Sequence, residues 1–248
     1  MADARWIAIG RDAGGARAIL LEGDRVLAGV RAETEAAALA QIDAGPAVQV
    51  RIGEGAPDVT PCSVTPQAGH CVPVVTQDQP ADVLGGWTRL WVAGFLARHD
   101  NWDGVLCVQD GDVTHWVHVS AGEIVSFASF LTLRLVAALG GGDRPDPDAM
   151  ADSQSRPERL AGHLRQAEIA GRPDATTGHL IGAELAAARV YWLGQQVGVI
   201  APGGNGAPHV AALSAQNVPV TVHTPDELTP GGLAALAGAW GMGVPDPH

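Results

Sequence analysis

The sequence predicts a mixed α/β fold, on two observations. Three β-prone runs separated by tight turns open the chain, and an alternation of strand, helix, strand and helix closes it. Antiparallel strands need only short turns, whereas strands that alternate with helices are the pattern of parallel pairing.

Residues 5–9 are β-prone, 10–15 are glycine-rich and 16–21 are apolar again, which reads as strand, turn, strand. Glu22-Gly23-Asp24 turns into a third run, 25–30, and completes a meander. Residues 34–42 are alanine-rich and helical, 47–52 form a fourth strand, and 57–80 are loop-like with several prolines. A helix is expected over 86–99, with Leu90, Ala93, Gly94 and Ala97 on one side, and a buried strand over 104–109.

Residues 115–120 and 123–126 flank Ala121-Gly122 as a hairpin, after which 127–139 has helical periodicity. The polar stretch 140–156 holds four aspartates and two prolines and is the expected flexible boundary. Helices are expected at 157–170 and 177–193. A strand at 197–201, a glycine turn, a helix at 208–216, a strand at 218–223 and a helix at 230–239 follow.

Composition removes several function classes. At 248 residues and 46% hydrophobic content the chain can bury a sizeable core, as one large domain or two small ones. No basic stretch followed by an apolar run opens it, and it holds no run of about 18 apolar residues. A soluble, cytoplasmic protein with no membrane partner is expected. The net charge of -12 repels nucleic-acid phosphates, and no Lys/Arg cluster offsets it. Three cysteines, Cys62, Cys71 and Cys107, have no C-x-x-C spacing and read as free thiols.

Particular wording then points further. Leu180-Ile181-Gly182-Ala183-Glu184-Leu185, followed by 197–204, resembles the L-I-G-x-E-L helix and glycine turn of the 2-dehydro-3-deoxygalactonokinase family. Three other stretches line up in the same order. Residues 6–18 are similar to W-I-A-V-D-W-G-T-T-N-L-R-A, 82–90 to D-V-M-R-G-E-E-T-Q, and 111–135 to P-G-T-H-S-K-W-V with F-M-T-G-E-L.

The resemblance implies an α/β fold of the actin-like ATPase (ribonuclease H-like) sugar-kinase architecture, with mixed sheets flanked by helices in two lobes, 1–125 and 126–248. It implies ATP and magnesium as cofactors and a sugar acid as the small-molecule partner. The family's chemistry is phosphorylation of a 2-keto-3-deoxy sugar acid in galactonate breakdown.

The polar positions depart from the family. Gly10 stands where the family has its first Asp, Asp12 where it has Gly, and Ala13, Gly14 and Gly15 where it has two hydroxyls and Asn, while Arg17-Ala18 is kept. In the second motif the Arg and both Glu become Gly85, Trp87 and Thr88, and Gly86 remains. In the third, T-H-S-K becomes Asp112-Val113-Thr114-His115, with Gly111 and Trp116 kept. In the last, T-G-E becomes Thr132-Leu133-Arg134.

Each lost stabilising group costs phosphoryl transfer roughly 100- to 1000-fold, so efficient chemistry requires replacements. Asp12 is the candidate catalytic carboxylate; its other reading is a solvated turn aspartate beside Arg11. Gly14, Gly15, Gly203 and Gly204 are the candidate nucleotide contacts, offering backbone N–H groups to an anion. Arg17, Gly86, Gly111 and Thr132 are the candidate substrate contacts.

His115 and His118, at i and i+3 on a strand, face opposite sides, and no metal site is expected there. Trp87 and Trp91, at i and i+4, belong either to a core stripe or to an exposed patch that builds a homo-oligomer. The alternative to a kinase is a non-catalytic protein that binds a sugar acid, regulates or assembles.

Overall fold

The computed structural model describes residues 5–67 and 69–242. In chain order, strands β1 (Arg5–Asp12), β2 (Gly15–Glu22) and β3 (Arg25–Ala32) precede helix α1 (Glu35–Leu39). Strands β4 (Val48–Ile52), β5 (Asp58–Val59), β6 (Cys62–Ser63), β7 (Cys71–Val72), β8 (Val75–Asp78) and β9 (Ala81–Leu84) lead to helix α2 (Gly86–Leu96). Strands β10 (Gly104–Asp110), β11 (Val113–Ser120) and β12 (Glu123–Phe130) precede α3 (Thr132–Ala138), α4 (Pro147–Ser155), α5 (Leu160–Ile169), α6 (Pro173–Ala187) and α7 (Arg189–Trp192). Strand β13 (Val197–Ile200), helix α8 (Pro208–Ala215), strand β14 (Val220–His223) and helix α9 (Pro225–Ala239) follow. No helix among the described residues is long and apolar enough to cross a membrane.

The chain divides into two compact units. The first takes the described residues of 1–102, 119–126 and 225–248, and the second takes 103–118 and 127–224.

In the first unit a five-stranded sheet runs in the order β3-β2-β1-β4-β7. The expected meander is present: β1 and β2 pair antiparallel from Arg5↔Glu22 to Asp12↔Gly15, and β3 continues on β2. Strand β4 then joins β1 in parallel. Thr34 caps α1, its Oγ1 accepting from the Ala37 N–H at 3.2 Å. Helix α1 covers the face that carries Ile7, Ile9, Ala18 and Leu20. The loop-like stretch 57–80 forms short strands, two of which join β9 in a small sheet ordered β5-β8-β9. Also in this unit, β6 pairs with Glu123 and Ile124 at the start of β12.

Helix α2 is buried on nearly every side, with Trp87 1% and Trp91 3% exposed. The exposed-patch reading of these tryptophans is therefore overturned: they are core. Helix α9 packs against α2, and the approach is so close that a Cβ on Gly94 would lie 2.1 Å from the Leu228 carbonyl oxygen. Arg89 on α2 is 1% exposed and ties down the irregular stretch. It pairs with Asp58 at 2.7 Å and donates to the carbonyls of Ser63, Val64 and Pro73.

In the second unit the strands lie in the order β14-β13-β10-β11-β12, with β10, β13 and β14 parallel. The segment 140–156, expected to be a flexible boundary, contains α4. Asp146 caps α4, accepting from the Ala149 N–H at 2.9 Å, and Pro147 starts it. Helix α4 lies against α6 so closely that a Cβ on Gly182 would sit 2.2 Å from the Met150 carbonyl oxygen. The expected helix over 127–139 begins only at Thr132, because residues 127–130 remain in β12.

Candidate functional site

The turn between β1 and β2 comprises Ala13 and Gly14, and Gly15 leaves it at φ +113, a conformation a side chain would strain. Asp12 folds back over this turn, its Oδ1 accepting from the Gly14 N–H at 2.8 Å. Arg31, from β3, donates to the same oxygen at 2.6 Å. The Asp12 side chain is 3% exposed, and its second oxygen is buried without a hydrogen-bond partner. The solvated aspartate beside Arg11 is thus corrected on both counts: the carboxylate is buried, and its partner is Arg31. Arg11 instead donates to the Glu33 carbonyl at 2.8 Å.

Gly10 stands in the vacated position for a steric reason. A Cβ there would lie 2.2 Å from the Ile52 carbonyl oxygen, because β4 runs against β1 at that point. Across the sheet, Arg17 on β2 pairs in register with Gly10 on β1 and with Arg31 on β3. The Arg17 guanidinium lies 5.2 Å from the Trp87 ring centroid and donates to Asp226 Oδ1 at 2.9 Å. Burial, with the neighbouring Arg31 second, holds its pKa below the usual arginine value. Gly86 is a contact point of the fold: a Cβ there would approach the Gly53 nitrogen to 2.5 Å. The first unit thus holds Asp12, Gly14, Gly15, Arg17 and Gly86.

The second unit holds Gly111, Thr132, Gly203 and Gly204. Gly111, at φ +62, makes the turn between β10 and β11. Asp112 beside it receives two hydrogen bonds from Arg134, at 2.7 and 3.0 Å. Two departures from the family, an acid at 112 and a base at 134, therefore compensate each other. These hydrogen bonds lower the Asp112 pKa and raise that of Arg134.

Gly203 and Gly204 follow β13, whose next residue, Ala201, donates to the His223 carbonyl of β14 at 3.0 Å. Gly204 is at φ +52, the turn tightens into a 3-10 segment over Gly204–Gly206, and α8 starts at Pro208. The turn lies at the carboxyl end of a parallel sheet and ahead of a helix N-terminus, which is where α/β folds receive anionic ligands. Gly203 and Gly206 present no side chain there, and nothing lies within 4 Å of a Cβ built on Gly206.

Behind that turn lies a buried polar cluster. Trp116 Nε1 donates to Glu184 Oε1 at 2.8 Å, and His209, on α8, meets the same oxygen through Nε2 at 2.9 Å. Gln109 Nε2 lies 2.9 Å from His209 Nδ1, so a neutral His209 carries its proton on Nε2 and donates it to Glu184. Burial pushes the Glu184 pKa up, but His209, Thr132 and Trp116 outweigh it and hold the carboxyl below its usual value. Glu184 and His209 were missed as a pair in the sequence. The available signal was a glutamate inside the apolar second half of the helix, a residue type rarely buried without a partner. Arg31 gave no comparable sign.

The comparisons agree with this architecture. The family model of 2-keto-3-deoxy-galactonokinase matches residues 26–143 and 151–236, a span that begins at the start of β3 and leaves out the β1–β2 turn. Among solved structures, a protein of Sinorhizobium meliloti assigned as a 2-dehydro-3-deoxygalactonokinase superposes with a TM-score of 0.79 at 21% identity, covering 94% of this chain and 98% of that one. The activator of 2-hydroxyisocaproyl-CoA dehydratase from Clostridium difficile, with bound ADPNP, gives a TM-score of 0.49 at 8% identity, covering 96% and 94%. No curated protein matches the sequence. The expected mixed sheets flanked by helices are the fold observed, and it is shared with the Sinorhizobium meliloti structure. With its model matched over most of the chain, the protein belongs to the 2-keto-3-deoxy-galactonokinase family.

Proposed function

We propose that this chain binds a 2-keto-3-deoxy sugar acid and transfers phosphoryl groups to it slowly or not at all. The observation that carries this reading is the closure of the β1–β2 turn on itself. Magnesium at a phosphate site needs free carboxylate and phosphate oxygens. Asp12 is the carboxylate at this turn: its Oδ1 already accepts from Arg31 and from Gly14, and its unpartnered Oδ2 is buried away from solvent. Gly10 supplies none and has no room for one. The Gly14 N–H that an incoming phosphate would use is likewise taken.

Magnesium therefore does not fit the first unit's turn as built. The glycine turn of the second unit fits the family's nucleotide, because Gly203 and Gly206 leave backbone uncovered. Family membership supports a sugar acid as the ligand.

The test is thermal stability with 2-keto-3-deoxygalactonate and, separately, with ATP and magnesium, followed by coupled ADP release. A shift with the sugar acid and little sugar-dependent ADP supports the reading. Turnover at rates typical of sugar kinases contradicts it.

A further inference from the structure

A pocket of about 310 Å³ in the first unit is lined by the outer face of β2 and β3 and by the start of α9. One end is cationic, with Arg17 and Arg31 neighbouring in register. The other end is aliphatic, with Ile19, Val26 and Pro230, and Gly29 lies in the floor. Only the Ile19 side chain comes within 4 Å of a Cβ built on Gly29, at 3.9 Å, so the space above it is open.

Arg17 is 9% exposed, and its Nη1 is buried with no hydrogen-bond partner. Its other terminal nitrogen makes a single contact to Asp226, whose side chain is 77% exposed. A guanidinium edge is shaped for two carboxylate oxygens at once, and here one edge is half used by an aspartate that can turn into solvent. A buried, unsatisfied charged donor is costly, so a ligand that satisfies it gains more than the exposed aspartate loses.

We propose that this groove binds a small aliphatic monocarboxylate. Its two oxygens lie on the Arg17 guanidinium in place of Asp226, and its alkyl body lies over Gly29 against Ile19, Val26 and Pro230. Arg17 is also a substrate contact expected from the sequence, so competition with 2-keto-3-deoxygalactonate distinguishes this groove from a sugar-acid site. Asp226 acts as a plug that the ligand displaces.

Calorimetric titration of the full chain with sodium acetate, sodium butanoate and inorganic phosphate, at constant ionic strength with chloride, tests this. One butanoate should bind per chain, roughly tenfold tighter than acetate, the worth of two buried methylenes, and phosphate should bind more weakly than butanoate. Asp226→Asn should tighten butanoate about two- to fivefold, the range of an exposed ion pair. Gly29→Val should fill the floor and abolish binding with the melting curve kept. Should that variant misfold, Val26→Glu at the exposed rim should abolish it by repulsion. No butanoate binding, equal binding of all three anions, or binding that survives both pocket variants overturns the proposal. Displacement of butanoate by 2-keto-3-deoxygalactonate also overturns it, because the groove would then be the sugar-acid site.

Discussion

Arg31 holds Asp12 closed over the β1–β2 turn: its Nη1 lies 2.6 Å from Asp12 Oδ1, and the carboxylate side chain is 3% exposed. This pairing consumes the one acid that the sequence offers in place of the family's first aspartate. A carboxylate nearly sealed from water, with a guanidinium and a backbone N–H on one oxygen, is held in the way of a structural acid.

Restoring the family residue should therefore fail. Gly10→Asp places a Cβ 2.2 Å from the Ile52 carbonyl oxygen, and overpacking against backbone should cost about 3 kcal/mol of stability. Urea unfolding should show a lower midpoint, and coupled ADP release should show no gain. A stable Gly10→Asp variant with new turnover would mean that β4 yields and the site can be rebuilt.

The cluster behind the glycine turn should dominate the stability of the second unit. Removing the His209 ring in His209→Ala leaves Glu184 charged, fully buried and short of a donor, at about 3–5 kcal/mol. Glu184→Gln, which removes the charge and keeps the shape, should cost distinctly less. Equal losses in equilibrium unfolding would count against a buried charged carboxylate.

A second histidine cluster gives the protein a pH dependence with a definite sign. His179 stacks on His163 with centroids 4.6 Å apart, Ser153 Oγ bridges their Nδ1 atoms at 2.8 and 2.9 Å, and His163 Nε2 lies 3.3 Å from Asp152. Burial, with His163 second, holds the His179 pKa below 6.5, while Asp152 and Asp146 act the other way. The unfolded chain then takes up this proton first, so the contribution is complete above about pH 6.5 and declines as pH falls, by at most about 1.4 kcal/mol per pH unit. Unfolding of wild type and His179→Asn at several pH values should show a steeper acid-side loss for wild type. Parallel profiles would remove the cluster as the source.

The tryptophans of α2 should behave as core. Trp87→Ala should cost about 3–5 kcal/mol, with the further loss of the ring under Arg17, and should leave the oligomeric state unchanged in sedimentation. A change of association state without loss of stability would return them to an interface.

Much of the fold was legible because periodicity and punctuation agreed. The meander, the 121–122 hairpin and the closing alternation appear where glycine and proline bounded apolar runs. Residues 127–130 read as the start of a helix because Phe127, Phe130 and Leu131 are spaced at i, i+3 and i+4, while pairing within the hairpin keeps the chain extended through Phe130. Helix α9 starts at Pro225 and tolerates Pro230 inside it, so the later proline was taken for its start. Helix α4 hid in a polar sequence whose cap, Asp146, resembles any loop aspartate.

The site was legible in part. The L-I-G-A-E-L wording marked α6, but its physical content emerges only from packing: Gly182 admits α4, and Glu184 is held by Trp116 and His209. Arg31 and Asp226 lie 19 and 209 residues from the groups they hold, and nothing local in sequence connects them.

The account rests most on the closed β1–β2 turn, and coupled ADP release with ATP, magnesium and 2-keto-3-deoxygalactonate tests it most directly. Wild type should release ADP at a rate that the sugar acid barely changes, and Asp12→Asn should leave that rate as it was. Brisk sugar-dependent release that Asp12→Asn abolishes would show that Arg31 lets Asp12 go during turnover, and would contradict the account.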